Sequence, residues 1–314
     1  RPGVYLSIDT ETSAIDPMRA DLVGISLSVR PGEAVYVPVG HNLLGSAQSP
    51  LEQVRDALGP ILRDGGVPKT GQNLKYDLKI LIRHGFEING VTFDTLLASY
   101  LLDPDRASHG LKSLGKDRLG IEMTEIEELI GRGKKQGSMA DVEIERAMPY
   151  ACADADVALQ LTHLLETELQ EQGLKDLLDD MEIPLMTILN RMEMTGVRID
   201  PAHFKRLSAE IASRMDEVAR EIFELAGRAF NIGSPKQVGA ILFDEIGLKP
   251  IRQTKTGPST DVGVLEQLGG SHPLPKEILR YRMLGKLKST YVDVLPQMVN
   301  RKTGRIHTHY NQAI

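Results

Sequence analysis

The spacing of apolar positions changes along this chain, and the change divides it in two. Val4–Asp9 is an apolar run of strand length, and Leu22–Val29 alternates apolar with small or polar residues at period two. Arg30-Pro31-Gly32-Glu33 supplies turn residues and Ala34–Val39 returns as a third strand, which predicts an antiparallel hairpin pair. Leu51–Arg63 carries apolar residues at helical spacing, with Ser49 as a cap and Pro50 at the first helical position. A short strand follows at Val67–Gln72, then a helix at Leu74–His84 ended by Gly85. Val91–Phe93 precedes a helix through Leu102 that Pro104 stops. Gly131–Gly137 reads as a basic loop, and about 142–172 as one helix bent at Pro149. Three strands followed by helix–strand alternation predict an α/β domain with a mixed sheet.

After Gly173 the pattern is almost wholly helical. Ile183–Met194 and Phe204–Ala226 are amphipathic, separated by a turn from Gly196 to Asp200 with Pro201 at a helix start. Ser234-Pro235 opens a helix ending near Gly247, Arg252–Thr260 is a polar loop, and Lys276–Leu295 is a long basic helix. The expected boundary lies at 174–182, giving domains 1–175 and 182–314.

Composition agrees with two domains: 314 residues exceed one typical domain, and 41% hydrophobic with 25% charged residues is ordinary for a globular chain. No apolar run approaches a membrane span, and no signal-peptide order opens the chain. The single Cys152 offers neither an intrachain disulfide nor a Cys-based zinc site, which points to a reducing interior rather than to secretion. Arg1 stands where an initiator Met would, so the chain reads as part of a longer protein. The net charge of -6 conceals a division: residues 182–314 hold 19 basic and 14 acidic side chains, the preceding residues 18 and 29. An acidic half suits cation binding and a basic half suits a polyanion.

The acidic half holds the candidate chemistry. Asp9 and Glu11 lie two apart on a strand, so they share a face. Two carboxylates about 4–5 Å apart repel by roughly 3–4 kcal/mol at an effective dielectric near 20, a penalty that a hard divalent cation removes. Asp77 falls at the head of a helix that follows a strand, and Tyr150 with Asp154 lies at i, i+4 on one helix face. Each has a plain reading alone: a helix cap beside a solvated acid, a first-turn charge on a helix dipole, a half-buried phenol. Asp156, two residues beyond Asp154, is off the Tyr150 face. Joint occurrence in one domain favours a metal-dependent hydrolase.

Ser7-Ile8-Asp9-Thr10-Glu11-Thr12, Gly71-Gln72-Asn73-Leu74-Lys75-Tyr76-Asp77 and Tyr150-Ala151-Cys152-Ala153-Asp154 resemble the three motifs of the DEDD exonuclease superfamily in its tyrosine-bearing branch. The likeness runs from about Val4 to Leu165 and is strongest to the proofreading domain of bacterial family A DNA polymerases. It implies a ribonuclease H-like α/β fold and a 3′→5′ exonuclease using two divalent cations, Mg²⁺ or Mn²⁺, with Zn²⁺ conceivable at one site. By position it implies that Asp9, Glu11 and Asp154 hold the first cation. Asp9 would bridge to the second, with Asp77 acting through water. Tyr150 would orient the attacking hydroxide. Asn73 and Tyr76 would contact the terminal nucleotide, with Thr10 and Thr12 near it.

In the basic half, Asn231-Ile232-Gly233-Ser234-Pro235-Lys236-Gln237, Lys255-Thr256-Gly257-Pro258-Ser259-Thr260 and Lys286-Leu287-Lys288-Ser289-Thr290-Tyr291 resemble the mainly helical thumb of the same polymerases. Thr303-Gly304-Arg305-Ile306-His307-Thr308 is similar to the entry to their palm. The resemblance implies DNA contacts at Asn231, Ser234, Lys236, Lys255, Thr256, Arg282, Lys286 and Lys288. Between Ser271 and Arg305, eight basic side chains against two acidic ones suit a duplex backbone. The polymerase metal aspartates of the family are not in this sequence. The implied partner is DNA, single-stranded at the nuclease and duplex at the thumb, bound by a monomer in the bacterial nucleoid or an organelle and away from membranes. Two other readings stay open: an RNA 3′ exonuclease resembling ribonuclease D, and a DNA-binding fragment without activity.

Overall fold

The computed structural model describes residues 3–42, 47–133, 136–255 and 257–313; Thr256, and Lys134 and Lys135 of the 131–137 loop, lie outside them. Two compact units are present, one formed by residues 1–196 together with 307–314 and the other by 197–306.

In the first unit, β1 (Leu6–Thr12), β2 (Leu22–Arg30) and β3 (Glu33–Pro38) form the antiparallel set that the alternation predicts, and β4 (Lys69–Thr70) pairs parallel with β1. The sheet order is β3-β2-β1-β4, a mixed sheet. Between β3 and β4 lies α1 (Leu51–Arg63); its N-cap position is Pro50, with no side-chain bond, so Ser49 does not cap it. The predicted strand at 67–72 shrinks to two residues, extended by a parallel bridge from Lys69 to Val91. Beyond it come α2 (Leu74–Arg83), α3 (Thr95–Leu102), α4 (Leu111–Leu114), α5 (Ile126–Ile130) and α6 (Ile144–Glu171), then α7 (Lys175–Leu177) and α8 (Ile183–Thr195). Helix α6 runs across the sheet and buries Ala151, Ala155, Ala158, Leu159 and Leu161; its small residues let it approach β1, β2 and β3 closely.

The boundary falls later than the sequence pattern suggests. Glu193, near the end of α8, is 1% exposed and accepts from Lys75 (2.6 Å) and Lys79 of α2. The backbone N–H of Tyr310 also donates to it, at 2.8 Å. A buried ion pair anchors a segment whatever its local periodicity, so α8 and residues 307–314 both belong with the sheet.

Gly71 closes the strand-to-helix turn that leads to α2. A Cβ there would lie 2.6 Å from the Ile8 carbonyl oxygen of β1 and 2.6 Å from the Leu74 side chain. The backbone atom cannot rotate away. Gly71→Ala is expected to cost about 1–3 kcal/mol by overpacking, read as a lower urea midpoint at unchanged slope.

The second unit is helical: α9 (Pro201–Ala226), α10 (Pro235–Gly239), α11 (Val262–Leu268) and α12 (Leu274–Leu287), with a hairpin of β5 (Gln253–Thr254) and β6 (Gly257–Pro258). Val218, Ile222, Ile241, Leu265, Leu274 and Ile278 form its core. Two helices are shorter than predicted: α10 passes at Ala240 into a wider turn, and α12 ends at Leu287 before another over Lys288–Val292. At that end the Ser289 hydroxyl donates to the Gly285 carbonyl (2.8 Å), competing with the helical ladder. Among the described residues no helix is long and apolar enough to cross a membrane.

Candidate active site

Strand β1 places Asp9 opposite Ser26 and Glu11 opposite Gly24, and its pairing with β2 slips between Glu11 and Thr12. Such a bulge re-aims the side chains beside it. From the other layer, α6 brings Asp154 down on them: one carboxylate oxygen from each of Asp9, Glu11 and Asp154 lies within 4.8 Å of the other two. A buried Oδ1 of Asp154 has no hydrogen-bond partner. Asp77 stands apart from this trio. Its Oδ1 accepts from the Thr10 backbone N–H (2.9 Å) and from the Thr10 hydroxyl (2.6 Å).

Burial raises all four acids, and the charges of neighbouring carboxylates add to it at Glu11, Asp77 and Asp154. Desolvation, then the charges of Asp9, Asp154 and Asp77, pushes the Glu11 carboxyl well above its usual range. Burial followed by the charge of Asp9 raises Asp154 to about 8 and lifts Asp77 well above its usual range. Burial raises Asp9 to about 6, against a lowering bond from Ser26 (3.3 Å). Unliganded, the cluster therefore holds protons where ordinary carboxyls would not. Oxygen donors that converge this closely, one of them orphaned, fit a hard divalent cation.

The sign of the resulting pH dependence is fixed. Raised folded-state values mean that the stability these groups contribute is complete below about pH 4. It is lost as pH climbs through about 6 for Asp9 and about 8 for Asp154. A cation reverses the repulsion. Thermal melts are expected to show Mn²⁺ raising Tm by at least roughly 3 °C more at pH 8 than at pH 5. Equal shifts at the two pH values would contradict the cluster's role.

Around the trio, a cavity of about 490 Å³ is lined by Thr12, Tyr76 and Tyr150 and by the apolar Ile126, Ile130 and Met139. These apolar lining residues were not legible in the sequence, because α5, which carries Ile126 and Ile130, is only five residues long. Tyr76 and Thr12 join hydroxyls at 2.6 Å. Burial, then the charges of Asp154, Glu11 and Asp9, raises the Tyr150 phenol far above its usual value, so it stays protonated. Of the other expected contact residues, Thr10 lines the same cavity while it is held by Asp77, and Asn73 lines a separate cavity of about 140 Å³ with Lys75, Asp94 and His309. Asn73 is also the one described non-glycine residue with left-handed backbone (φ 55°). Its N–H and that of Leu74 donate to Asp94, at 3.2 and 2.7 Å. Asp94 is 1% exposed and also caps α3, a role the sequence reading missed. Asp156 is held by the Gly32 N–H at 2.7 Å.

In the second unit, Ser234, Lys236 and Arg282 line one cavity of about 810 Å³ with Thr254, Ser259 and Thr260. Ser234 caps α10 through Gln237, and Asn231 accepts from the Gly233 N–H at 2.9 Å. Lys255 and Lys286 are exposed. Lys288 is engaged by Ser208 (2.8 Å) and Asp293 (2.7 Å), and Arg282 donates to the Thr260 carbonyl at 2.5 Å. Both are held within the fold rather than presented singly to solvent.

Residues 2–170 match the family described as 3'-5' exonuclease, and 201–314 match DNA polymerase family A. The chain is similar to DNA polymerase I of Pseudomonas aeruginosa, 42% identical over 98% of this chain and 34% of that protein. DNA polymerase I of Synechocystis is 43% identical over 98% of this chain and 31% of that protein. The chain thus spans about a third of the length of these relatives. A solved structure of the POL domain of Pol1 from M. smegmatis, in complex with DNA primer-template and dNTP, superposes with a TM-score of 0.79. It is 30% identical, covering 99% of this chain and 49% of that one.

Proposed function

Because the chain belongs to the 3′-5′ exonuclease family, and its second unit matches DNA polymerase family A, we propose that its acidic pocket hydrolyses the last phosphodiester of a DNA strand as a proofreading site. The observation that supports this reading is the convergence of Asp9, Glu11 and Asp154, with Tyr150 at the edge of the same cavity.

Asp9, Glu11 and Asp154 are the residues that would hold one divalent cation, and Asp9 with Asp77 a second. Bound cations of this kind supply charge stabilisation to the entering and leaving oxygens and lower the pKa of a water. The chain's own groups do the rest. Thr10 fixes the Asp77 carboxylate through two donors, so this acid cannot rotate away. Tyr150, kept protonated, is a donor or acceptor that orients a water on the Asp154 side. The apolar side chains of Ile126, Ile130 and Met139 offer a surface on which a terminal base can rest whatever its identity. Hydrolysis is then independent of sequence, and frayed or single-stranded ends enter most readily.

The second unit is the proposed duplex grip, in which Lys255, Lys286 and the N-terminus of α10 meet phosphates. In the whole protein this unit would lead into a polymerase acting in replication or repair, as a cytoplasmic monomer.

Single-stranded DNA labelled at its 5′ end tests the reading. With Mg²⁺ or Mn²⁺ the expected product is a ladder shortened from the 3′ end with release of nucleoside monophosphates, and a matched RNA strand is cut more slowly. Tyr150→Phe slows the reaction about 10²-fold or less, the range of a single positioned proton-bonding group. An undigested DNA strand, or preference for RNA, would overturn the proposal.

A further inference from the structure

One cationic side chain faces Tyr150, and neither motif spacing nor the family match assigns it a part. Lys112 sits on α4 and is not among the residues that line the cavity of the acids. Its Nζ lies 3.3 Å from the Tyr150 hydroxyl oxygen and 4.3 Å from the centre of the ring. The Thr124 carbonyl accepts from it at 2.5 Å, and the Glu125 carboxylate is 3.9 Å away. Two of its three N–H donors are thus directed, at Thr124 and Tyr150, and the Glu125 carboxylate holds its charge from 3.9 Å. It is also largely sheltered: its side chain is 23% exposed.

The hydroxyl oxygen of Tyr150 has one proton and two lone pairs. An ammonium group that cannot accept must take a lone pair, and the phenol proton is left to point elsewhere. The other near groups are the carboxylates of Asp154, Glu11 and Asp9, whose charges act on the phenol. Lys112 therefore orders Tyr150 twice, by donating to its oxygen and by lying over its face, where a cation is attracted to the ring. Its charge also opposes the acids: Asp9, Glu11 and Asp154 are each lowered by it against the stronger effect of burial.

We propose that Lys112 is a positioning residue of the exonuclease, which sets the direction of the Tyr150 proton toward the carboxylate pocket and so the orientation of the attacking water. The inference rests on the nuclease reading above. Lys112 touches no reacting atom; it acts through Tyr150.

A double-mutant cycle and one measurement without catalysis test it. Lys112→Met is expected to lower kcat on single-stranded DNA about tenfold with KM within twofold. In a Tyr150→Phe background the same change should alter kcat by less than twofold, because no hydroxyl is left to direct. Lys112→Gln, which keeps a donor but no charge, should fall between Lys112→Met and wild type. Independently, in cation-free protein carrying ¹³Cζ-tyrosine, the resonance that Tyr150→Phe deletes should move on Lys112→Met while the other tyrosine signals stay. Unchanged kcat in Lys112→Met, or an equal loss with and without the Tyr150 hydroxyl, would overturn the proposal. So would a stationary Tyr150 resonance. If wild-type protein digests no DNA while that resonance does move, the contact stands and the nuclease reading fails. Should Lys112→Met not fold, Lys112→Gln carries both measurements.

Discussion

Asp9→Ala and Asp154→Ala are each expected to reduce hydrolysis of single-stranded DNA by more than about 10²–10³-fold, the loss typical of removing one preorganised electrostatic group. Affinity for DNA should be nearly unchanged, because the basic side chains of the second unit are untouched. The fold should not suffer either. Without a cation, each substitution deletes one charge from a buried group of like charges, so Tm at pH 8 is expected to rise or hold. This pairing of lost activity with retained stability distinguishes a functional acid from a structural one. A structural carboxylate would lower both. Gel assays of 5′-labelled DNA with melts of the same preparations give the answer, and a variant that unfolds while losing activity would speak against the assignment.

Glu193→Ala is expected to have the largest effect on stability, about 3–5 kcal/mol, because it strands two buried ammonium groups. Lys75 and Lys79 have side chains only 5% and 4% exposed, and Glu193 is their shared partner. Burial alone would raise the Glu193 carboxyl; the bonds from Lys75, Lys79 and the Tyr310 N–H outweigh it and hold the group below its usual value. A lowered carboxyl contributes stability above the unfolded value, near 4.5, and loses it as pH falls below that. Glu193→Ala should thus flatten the acid limb of stability while lowering the plateau. Helix α2 carries Asp77 as well as both lysines. Activity should fall with stability, since the same helix fixes an acid of the pocket. A change under about 1 kcal/mol by urea denaturation would show that the triad is not an anchor.

The mixed sheet was legible because β1 is an apolar run of strand length, β2 alternates at period two, strong turn residues join it to β3, and helix–strand alternation follows. The convergence of Asp9, Glu11 and Asp154 was legible in part, because strand and helix periods dictate which side chains share a face. Asp9 with Glu11, and Tyr150 with Asp154, still had plain readings singly, and only their joint occurrence and the family resemblance gave them a shared chemistry. The parts that escaped depend on tertiary contact. Glu193 looks like any acid on an amphipathic helix until its two lysines, more than a hundred residues earlier, close on it. Asp94 precedes a helix as many aspartates do, yet it also caps the turn at Asn73. Thr10 lines the cavity with Asp9 and Glu11, but the sequence does not show that its backbone N–H and hydroxyl are both committed to Asp77, 67 residues away. Lys112 lies in a helix of four residues, too short to have a period. In the second unit, Lys288 and Arg282 read as free cations because their partners, Asp293 and the Thr260 carbonyl, come from neighbouring turns.

Crystals equilibrated with Mn²⁺ and measured at the manganese absorption edge test the central claim most directly. The account predicts two anomalous peaks in the pocket, one among Asp9, Glu11 and Asp154 and another between Asp9 and Asp77, both absent from the Asp9→Ala protein. Peaks elsewhere on the surface, with none among the three carboxylates, would contradict it.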